Sequence, residues 1–275
     1  MIKDYSKLFS VKDKVVIITG GAGFLGSQYA EILALSGAKV IVWDVAPQNV
    51  IDNKLSKIKK KVGKNRVIGK TLDITDEDQV KKAVAEIIAT FSRLDCLINN
   101  AAMNPAVGKD DASKLFVSYE DYPVDLWRKE LEVNLTGMMI CTKAVARVMI
   151  KNKNGSIINI ASEVSNIAHD HRVYNQPNKY KSIAYVTTKT AVVGFTRQWA
   201  ARLGRHNVRI NAFSPGGVQN EKMPLDFAKR FGDMNMLGRM AQPYEYAGVI
   251  IFLCSDASSF MTGGNLTVDG GKSAW

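Results

Sequence analysis

The sequence is poor in the features that would staple a chain or anchor it. Its three cysteines, Cys96, Cys141 and Cys254, are widely spaced and sit in apolar runs. That excludes a disulfide framework or a cysteine metal cluster and leaves buried thiols as the expectation. Uninterrupted apolar runs such as Val15–Ile18 and Val249–Leu253 are far too short to cross a bilayer. Met1–Ser10 carries charges where a secretory signal needs an apolar segment, so a cytoplasmic protein without membrane attachment is expected. No repeat, low-complexity tract or linker divides the chain. Its 275 residues and 46% hydrophobic content suit one domain, residues 1–275, with one substantial core.

Acidic residues are also in deficit, 26 against 37 basic ones, giving a formal charge of +11. Such a balance suits nucleic acid, a membrane surface or an anionic substrate. Much of the excess lies in Lys54–Lys64, where six lysines alternate with Leu55, Ile58 and Val62 at helical spacing. This is the pattern of a lysine-coated surface helix. It has no interleaved aromatics to stack on bases, so a small-molecule substrate and no nucleic-acid partner are expected.

What is present is alternation. Short β-branched runs, Val15–Thr19, Lys39–Asp44, Arg66–Thr71, Cys96–Asn99, Ser156–Ile160, Val208–Ser214 and Leu266–Asp269, read as strands. Helical period marks Leu25–Ser36, Asn49–Val62, Asp76–Ser92, Asp125–Lys151, Lys181–Leu203 and Glu245–Leu253, with Gly37 and Gly204 as stops. This succession predicts an α/β fold with a seven-stranded parallel sheet and helices on both faces. Two polar stretches, Asn104–Tyr122 and Asn166–Lys181, are long for such connections and are expected to be functional.

The first strand runs into Thr19-Gly20-Gly21-Ala22-Gly23-Phe24-Leu25-Gly26 and then a helix. A glycine turn there lets backbone approach a pyrophosphate, which the helix N-terminus attracts. Asp44 ends the second strand eighteen residues after Gly26. A carboxylate at that place accepts hydrogen bonds from both adenosine ribose hydroxyls and repels a 2′-phosphate, favouring NAD over NADP. Asp73-Ile74 and Asn99-Asn100-Ala101-Ala102 end the third and fourth strands at the same edge.

Tyr185 and Lys189 stand four apart in a helical stretch, which puts a phenol and an ammonium on one face. A nearby cation lowers a tyrosine pKa towards working pH. Ser162 lies just past the fifth strand on the same sheet edge.

Taken in order, these motifs, with Val133-Asn134-Leu135, Tyr185-Val186-Thr187-Thr188-Lys189, Ser214-Pro215-Gly216 and Val268-Asp269-Gly270-Gly271, resemble the single-domain short-chain dehydrogenases/reductases over residues 11–271. The resemblance implies a single-domain Rossmann fold and an NAD-dependent oxidoreductase acting on a carbonyl or secondary alcohol. It implies that Tyr185 transfers the proton, Ser162 holds the substrate oxygen, Lys189 binds the nicotinamide ribose, and Asn134 holds a relay water. Gly20, Gly23, Phe24, Leu25, Gly26, Asp44, Asp73, Ile74, Asn100, Ala101, Tyr185, Lys189, Pro215, Gly216 and Val218 would contact the cofactor. Residues 219–237 would form a mobile lid. The helices Asp125–Lys151 and Lys181–Leu203 would build a homodimer contact, and the tail to Trp275 would extend it to a homotetramer.

Departures from the family pattern accompany the matches. Phe24 stands where the single-domain branch has its middle glycine, a spacing typical of the epimerases and dehydratases, so an NAD-dependent sugar epimerase or dehydratase is the alternative. A non-catalytic NAD-binding scaffold is a second alternative, opposed by the complete Asn134, Ser162, Tyr185 and Lys189 set. Ala102 and Asn220 replace a usual glycine and threonine, and Asn166–Lys181 is an insertion between Ser162 and Tyr185. The insertion's His169-x-His171 pair lacks a third ligand, so no metal is expected. Its amide, hydroxyl and aromatic groups suit a sugar, with Ser162, Asn104, His171 and Tyr174 as substrate contacts and Arg172 or Lys179 pairing an anionic group. The insertion and the short aromatic tail look like the flagellin-modification branch, enzymes of bacterial sugar biosynthesis.

Overall fold

The computed structural model describes residues 4–104, 117–176 and 179–275. Among these residues seven strands form: β1 Val15–Thr19, β2 Lys39–Asp44, β3 Val67–Thr71, β4 Cys96–Asn99, β5 Gly155–Ile160, β6 Val208–Pro215 and β7 Asn265–Val268. All pair in parallel, in the order β3-β2-β1-β4-β5-β6-β7. The chain is the Rossmann-like α/β fold expected from the sequence.

Among the described residues, eight α-helices connect and cover the strands: α1 Phe24–Leu35, α2 Gln48–Val62, α3 Glu77–Phe91, α4 Val124–Leu131, α5 Met138–Asn152, α6 Ile183–Leu203, α7 Leu225–Asp233 and α8 Ala247–Cys254. The strand period of two divides each apolar run between two cores. Val16 and Ile18 of β1 join Leu33 of α1, Leu55 of α2 and Ile250 of α8 on one face. Val15 and Ile17 join Val84 of α3, Val145 of α5 and Leu203 of α6 on the other. Because β1 pairs with β2 on one side and β4 on the other, the strand order reverses there. A crevice opens at the carboxyl ends of β1 and β4, where ligands of open parallel sheets bind.

Four local differences from the sequence reading bear on the site. The helix expected over Asp125–Lys151 is interrupted by a π-helical turn, Glu132–Gly137, so α4 and α5 are separate segments of one rod. The rod Val124–Asn152 is long and apolar enough to span a membrane by length and composition, but half of its most apolar window is buried in the protein. The helix expected from Lys181 starts at Ile183, because the Ser182 hydroxyl accepts from the Tyr185 N–H and caps it. Gly204 is right-handed, with φ −56°, and the chain turns instead at Asn207, φ 57°, after one further 3₁₀ turn. Finally, the expected lid contains α7, whose Phe227 and Phe231 pack with Val173 and Tyr174 of the insertion.

Candidate active site

A cleft of about 1250 Å³ runs along the carboxyl edge of the sheet, from the glycine turn to α7. Every residue assigned above to cofactor, catalysis or substrate lines it except Asn134, His171, Arg172 and Lys179. Residues 105–116 of the long region Asn104–Tyr122 lie outside the described residues.

At one end, β1 turns through Gly20, with φ 61°, a left-handed conformation that favours glycine. A β-carbon on Gly26 would stand 2.3 Å from the Gly20 carbonyl oxygen and 2.7 Å from Gly21 Cα, so the first turn of α1 rests directly on the loop. The Asn100 amide ties the loop to β4, donating to the carbonyls of Thr19 at 3.0 Å and Gly20 at 3.1 Å. Thr19 Oγ1 in turn accepts from the N–H groups of Asn100 and Ala101. The result is bare backbone at a helix N-terminus, whose free N–H groups and dipole suit a diphosphate.

Beside it, the Asp44 carboxylate accepts from Ala22 N and Ala46 N, both at 3.0 Å, and faces the cleft. Val45 next to it is 72% exposed, so no basic group stands at the position that would neutralise a 2′-phosphate. Asp73 caps its own turn through Thr75, and Ile74 packs where the π turn brings Gly137 close. Gly216 sits so near β7 that a β-carbon would stand 2.7 Å from Asp269 Cα, and the Tyr246 hydroxyl donates to its carbonyl at 3.0 Å.

At the other end, α6 presents Tyr185 and Lys189 on its buried face, one turn apart. Tyr185 and Ser162 line the cleft together, near enough for the serine to act on the phenol, and Ser162 begins a 3₁₀ turn after β5 and is thereby fixed. Lys189 Nζ lies 5.7 Å from the centre of the tyrosine ring and donates to the Ile160 carbonyl at 2.5 Å. The sequence reading expects the lysine to draw the tyrosine pKa down. Here burial dominates and pushes Tyr185 up to about 12, with the Ser162 hydrogen bond acting downward. Lys189 itself is pushed down to about 8 by burial and by the charge of Lys181.

Two site expectations change. The Asn134 side chain is committed to protein partners: Oδ1 accepts from Met103 N, and Nδ2 donates to Met103 O and Thr188 Oγ1. Its amide therefore fastens the segment after β4 to α6 and stands behind the cleft wall. His171 is committed too. Its Nδ1 accepts from Lys181 N at 3.2 Å, which leaves Nε2 protonated and donating to the Tyr119 hydroxyl at 3.0 Å. The histidine on the cleft wall is His169, two residues earlier.

Three further features were not read from the sequence. Lys181, one residue before the cap of α6, folds back so that Nζ stands 4.3 Å from the Tyr185 ring centre and donates to Asn104 Oδ1. Glu163, adjacent to Ser162, forms a buried ion pair with Lys272 at 2.8 Å and accepts from Gly217 N. His169 has both ring nitrogens shielded from solvent with no hydrogen-bond partner among the described residues. Arg172, by contrast, points outward and pairs with Asp170.

A family model described as enoyl-(acyl carrier protein) reductase matches residues 21–273. The NAD-dependent glycerol dehydrogenase of Listeria innocua is 33% identical over 273 residues, covering 98% of this chain and 97% of that protein. The trans-4-hydroxycyclohexanecarboxylate dehydrogenase of Sinomonas cyclohexanicum is 34% identical over 267 residues, covering 96% and 94%. Among solved structures, a gluconate 5-dehydrogenase from Burkholderia cenocepacia in complex with NADP and tartrate matches with a TM-score of 0.83 at 27% identity, covering 98% of each chain.

Proposed function

Because the chain belongs to the short-chain dehydrogenase/reductase family, we propose that it transfers a hydride between NAD and a carbonyl or secondary alcohol of a sugar or sugar derivative. The observation that carries the reading is the convergence of Tyr185, Ser162 and Lys189 in the same cleft as the glycine turn and Asp44.

The residues present fit a nicotinamide dinucleotide. Gly20 and Gly26 let the loop pack against Ala101 and the first turn of α1 rest on the loop, which brings the α1 N-terminus to the cleft as bare backbone. Asp44 at the ribose position, followed by exposed Val45, supports NAD over its 2′-phosphorylated form. Lys189 would hold the nicotinamide ribose hydroxyls, and Pro215, Gly216 and Val218 would flank the ring. When bound, the cofactor supplies or accepts the hydride.

The protein's own part is proton transfer and positioning. Tyr185 carries its proton at neutral pH, the form that protonates a carbonyl oxygen during reduction; in oxidation it must first lose that proton. Ser162 donates to the same oxygen and keeps it within reach of the phenol. Glu163, tied to Lys272 and to Gly217 N, locks the Ser162 turn against the loop after β6. A polyhydroxylated substrate is supported by the polar wall that Asn104, His169 and Asn220 provide, and by the glycerol and gluconate dehydrogenases among the similar proteins.

The test is a screen of sugar nucleotides, sugar phosphates and cyclic alcohols with NAD, following the reduced-nicotinamide absorbance. Substrate-dependent NADH formation, absent in Tyr185→Phe, is expected. An isomerised or dehydrated product with no accumulating NADH would instead establish the epimerase or dehydratase reading.

A further inference from the structure

The structure assigns a further positioning residue: we propose that Glu130, acting through Ser182, sets the place of Tyr185 as one arm of a clamp whose other arm is Asn134. The inference rests on the oxidoreductase reading above and adds to it how the phenol is held.

The need for a clamp comes from where the tyrosine stands. Ser182 is the N-cap of α6, so Tyr185 is the third residue of the helix. The N–H groups of a first turn have no carbonyl to bond within their own helix, and helix ends fray. Lys189 lies one turn further in. The residue that must meet a substrate oxygen is therefore in the turn that its own helix holds least, and misplacing a reacting group by about 1 Å costs about 10²-fold in rate.

Both backbone groups of Tyr185 are instead tied to hydroxyls three residues away on either side. Its N–H donates to Ser182 Oγ at 3.0 Å, and its carbonyl accepts from Thr188 Oγ1 at 2.9 Å. Each hydroxyl is held in turn by a side chain of the rod packed on α6. Ser182 Oγ donates to Glu130 of α4 and stands 2.9 Å from both carboxylate oxygens. Thr188 Oγ1 accepts from Asn134 Nδ2 at 3.1 Å. Glu130 and Asn134, four residues apart in sequence, are 0% and 1% exposed. Two side chains of one rod thus grip the N–H side and the carbonyl side of the same residue.

Hydroxyl chemistry gives Glu130 its part. A serine hydroxyl has one proton, and a carboxylate that accepts it leaves the oxygen's lone pairs for the Tyr185 N–H. The Tyr122 hydroxyl donates to the same carboxylate and lies 2.8 Å from Ser182 Oγ, which closes the cluster. A serine cap by itself needs no carboxylate behind it. Burying one is costly unless it is hydrogen-bonded, and the bonds that satisfy this one converge on the cap of the helix carrying Tyr185.

The experiment uses the full chain with isotopically labelled tyrosine, the Tyr185 amide being assigned by its loss from Tyr185→Phe. Hydrogen exchange of that amide is read beside turnover with NAD and three alcohol probes, UDP-glucose, glucose 6-phosphate and cyclohexanol. In Glu130→Gln an amide N–H₂ meets Ser182 Oγ whichever way the side chain turns, because both oxygens it replaces are equally close. Tyr185 exchange should accelerate about tenfold or more while the Tyr29 amide keeps its wild-type rate, and kcat should fall about tenfold or more with KM and NADH affinity within about twofold. Glu130→Asp, which keeps the charge but withdraws it from Ser182, should do the same, and it decides the matter if Glu130→Gln does not fold. Wild-type exchange at Tyr185, wild-type kcat, or equal acceleration at Tyr29 overturns the inference. If no probe yields NADH with wild type, that counts against the oxidoreductase reading, and the amide decides the clamp by itself: faster exchange confined to Tyr185 upholds it, and unchanged exchange overturns it.

Discussion

Lys272 donates to Glu163 at 2.8 Å with both side chains only 5% exposed, joining residues 109 positions apart. The ammonium also stands 3.7 Å from the centre of the Phe231 ring in α7. Removing one partner leaves a buried charge uncompensated, so Lys272→Met should cost about 3–5 kcal/mol. Chemical denaturation measures this, and the double variant Glu163→Gln, Lys272→Met should recover part of the loss. A Lys272→Met protein as stable as wild type would show that the pair is not a structural fastening.

Tyr185→Phe removes only the hydroxyl, and turnover should fall by about 10²–10⁴ with NADH affinity unchanged. Ser162→Ala should lower kcat by about 10²–10³ through loss of the oxygen's second donor. Steady-state kinetics and a separate NADH titration check both, and unchanged turnover in either variant removes that residue from the mechanism.

Burial pushes Tyr185 up to about 12, so at neutral pH the phenol is protonated. Alcohol oxidation needs the phenolate, whose fraction grows as pH rises towards that value; carbonyl reduction needs the phenol, whose fraction is constant until pH approaches it. Rates in the two directions should diverge, with oxidation climbing from pH 7 to 10. Ser162 acts to lower the pKa, so Ser162→Ala should move the oxidation limb further to alkaline pH. An oxidation rate that falls above pH 7 would contradict the assignment of Tyr185 as base.

Asp44→Ala removes the carboxylate that would oppose a 2′-phosphate. The NAD-over-NADP ratio of kcat/KM should drop by about tenfold or more, the effect of ~1.4 kcal/mol of repulsion. Wild-type preference for NADP would reverse the reading of this residue.

Gly26→Ala places a methyl 2.3 Å from the Gly20 carbonyl oxygen, a backbone atom that cannot move aside without opening the turn. Overpacking of this kind costs about 1–3 kcal/mol, and dinucleotide binding should be lost before the fold is. Thermal unfolding and an NADH titration, run together, distinguish the two effects.

The inner strands were legible because each is a local run whose apolar character on both faces is imposed by two flanking cores, and five residues suffice to show it in Val15–Thr19. The crevice was legible because strand ends carry their own chemistry, as Gly20, Asp44 and Ser162 do. Side chains placed by loops were not. Which of His169 and His171 faces the cleft is decided by the Lys181 N–H and the Tyr119 hydroxyl, and no period in the sequence records that. Helical period alone extends the helix back to Lys181, and the reach of that side chain over Tyr185 depends on Ser182 capping the helix one residue later. The Glu163–Lys272 pair joins segments that meet only after the sheet is built. Asn134 was recognised by motif, but its bonds to Met103 and Thr188 required the π turn that no propensity signals.

Val173 and Tyr174 of the insertion share an apolar cluster with Phe227, Phe231 and Met240, and Arg230 of α7 donates to the Val173 carbonyl at 2.9 Å. The two segments that wall the substrate end are thus a single welded unit with a seam between them. Grafting the insertion alone into a relative would expose that seam to water and leave the new pocket without its back wall. Re-engineering selectivity in this enzyme means transplanting both stretches as a matched set.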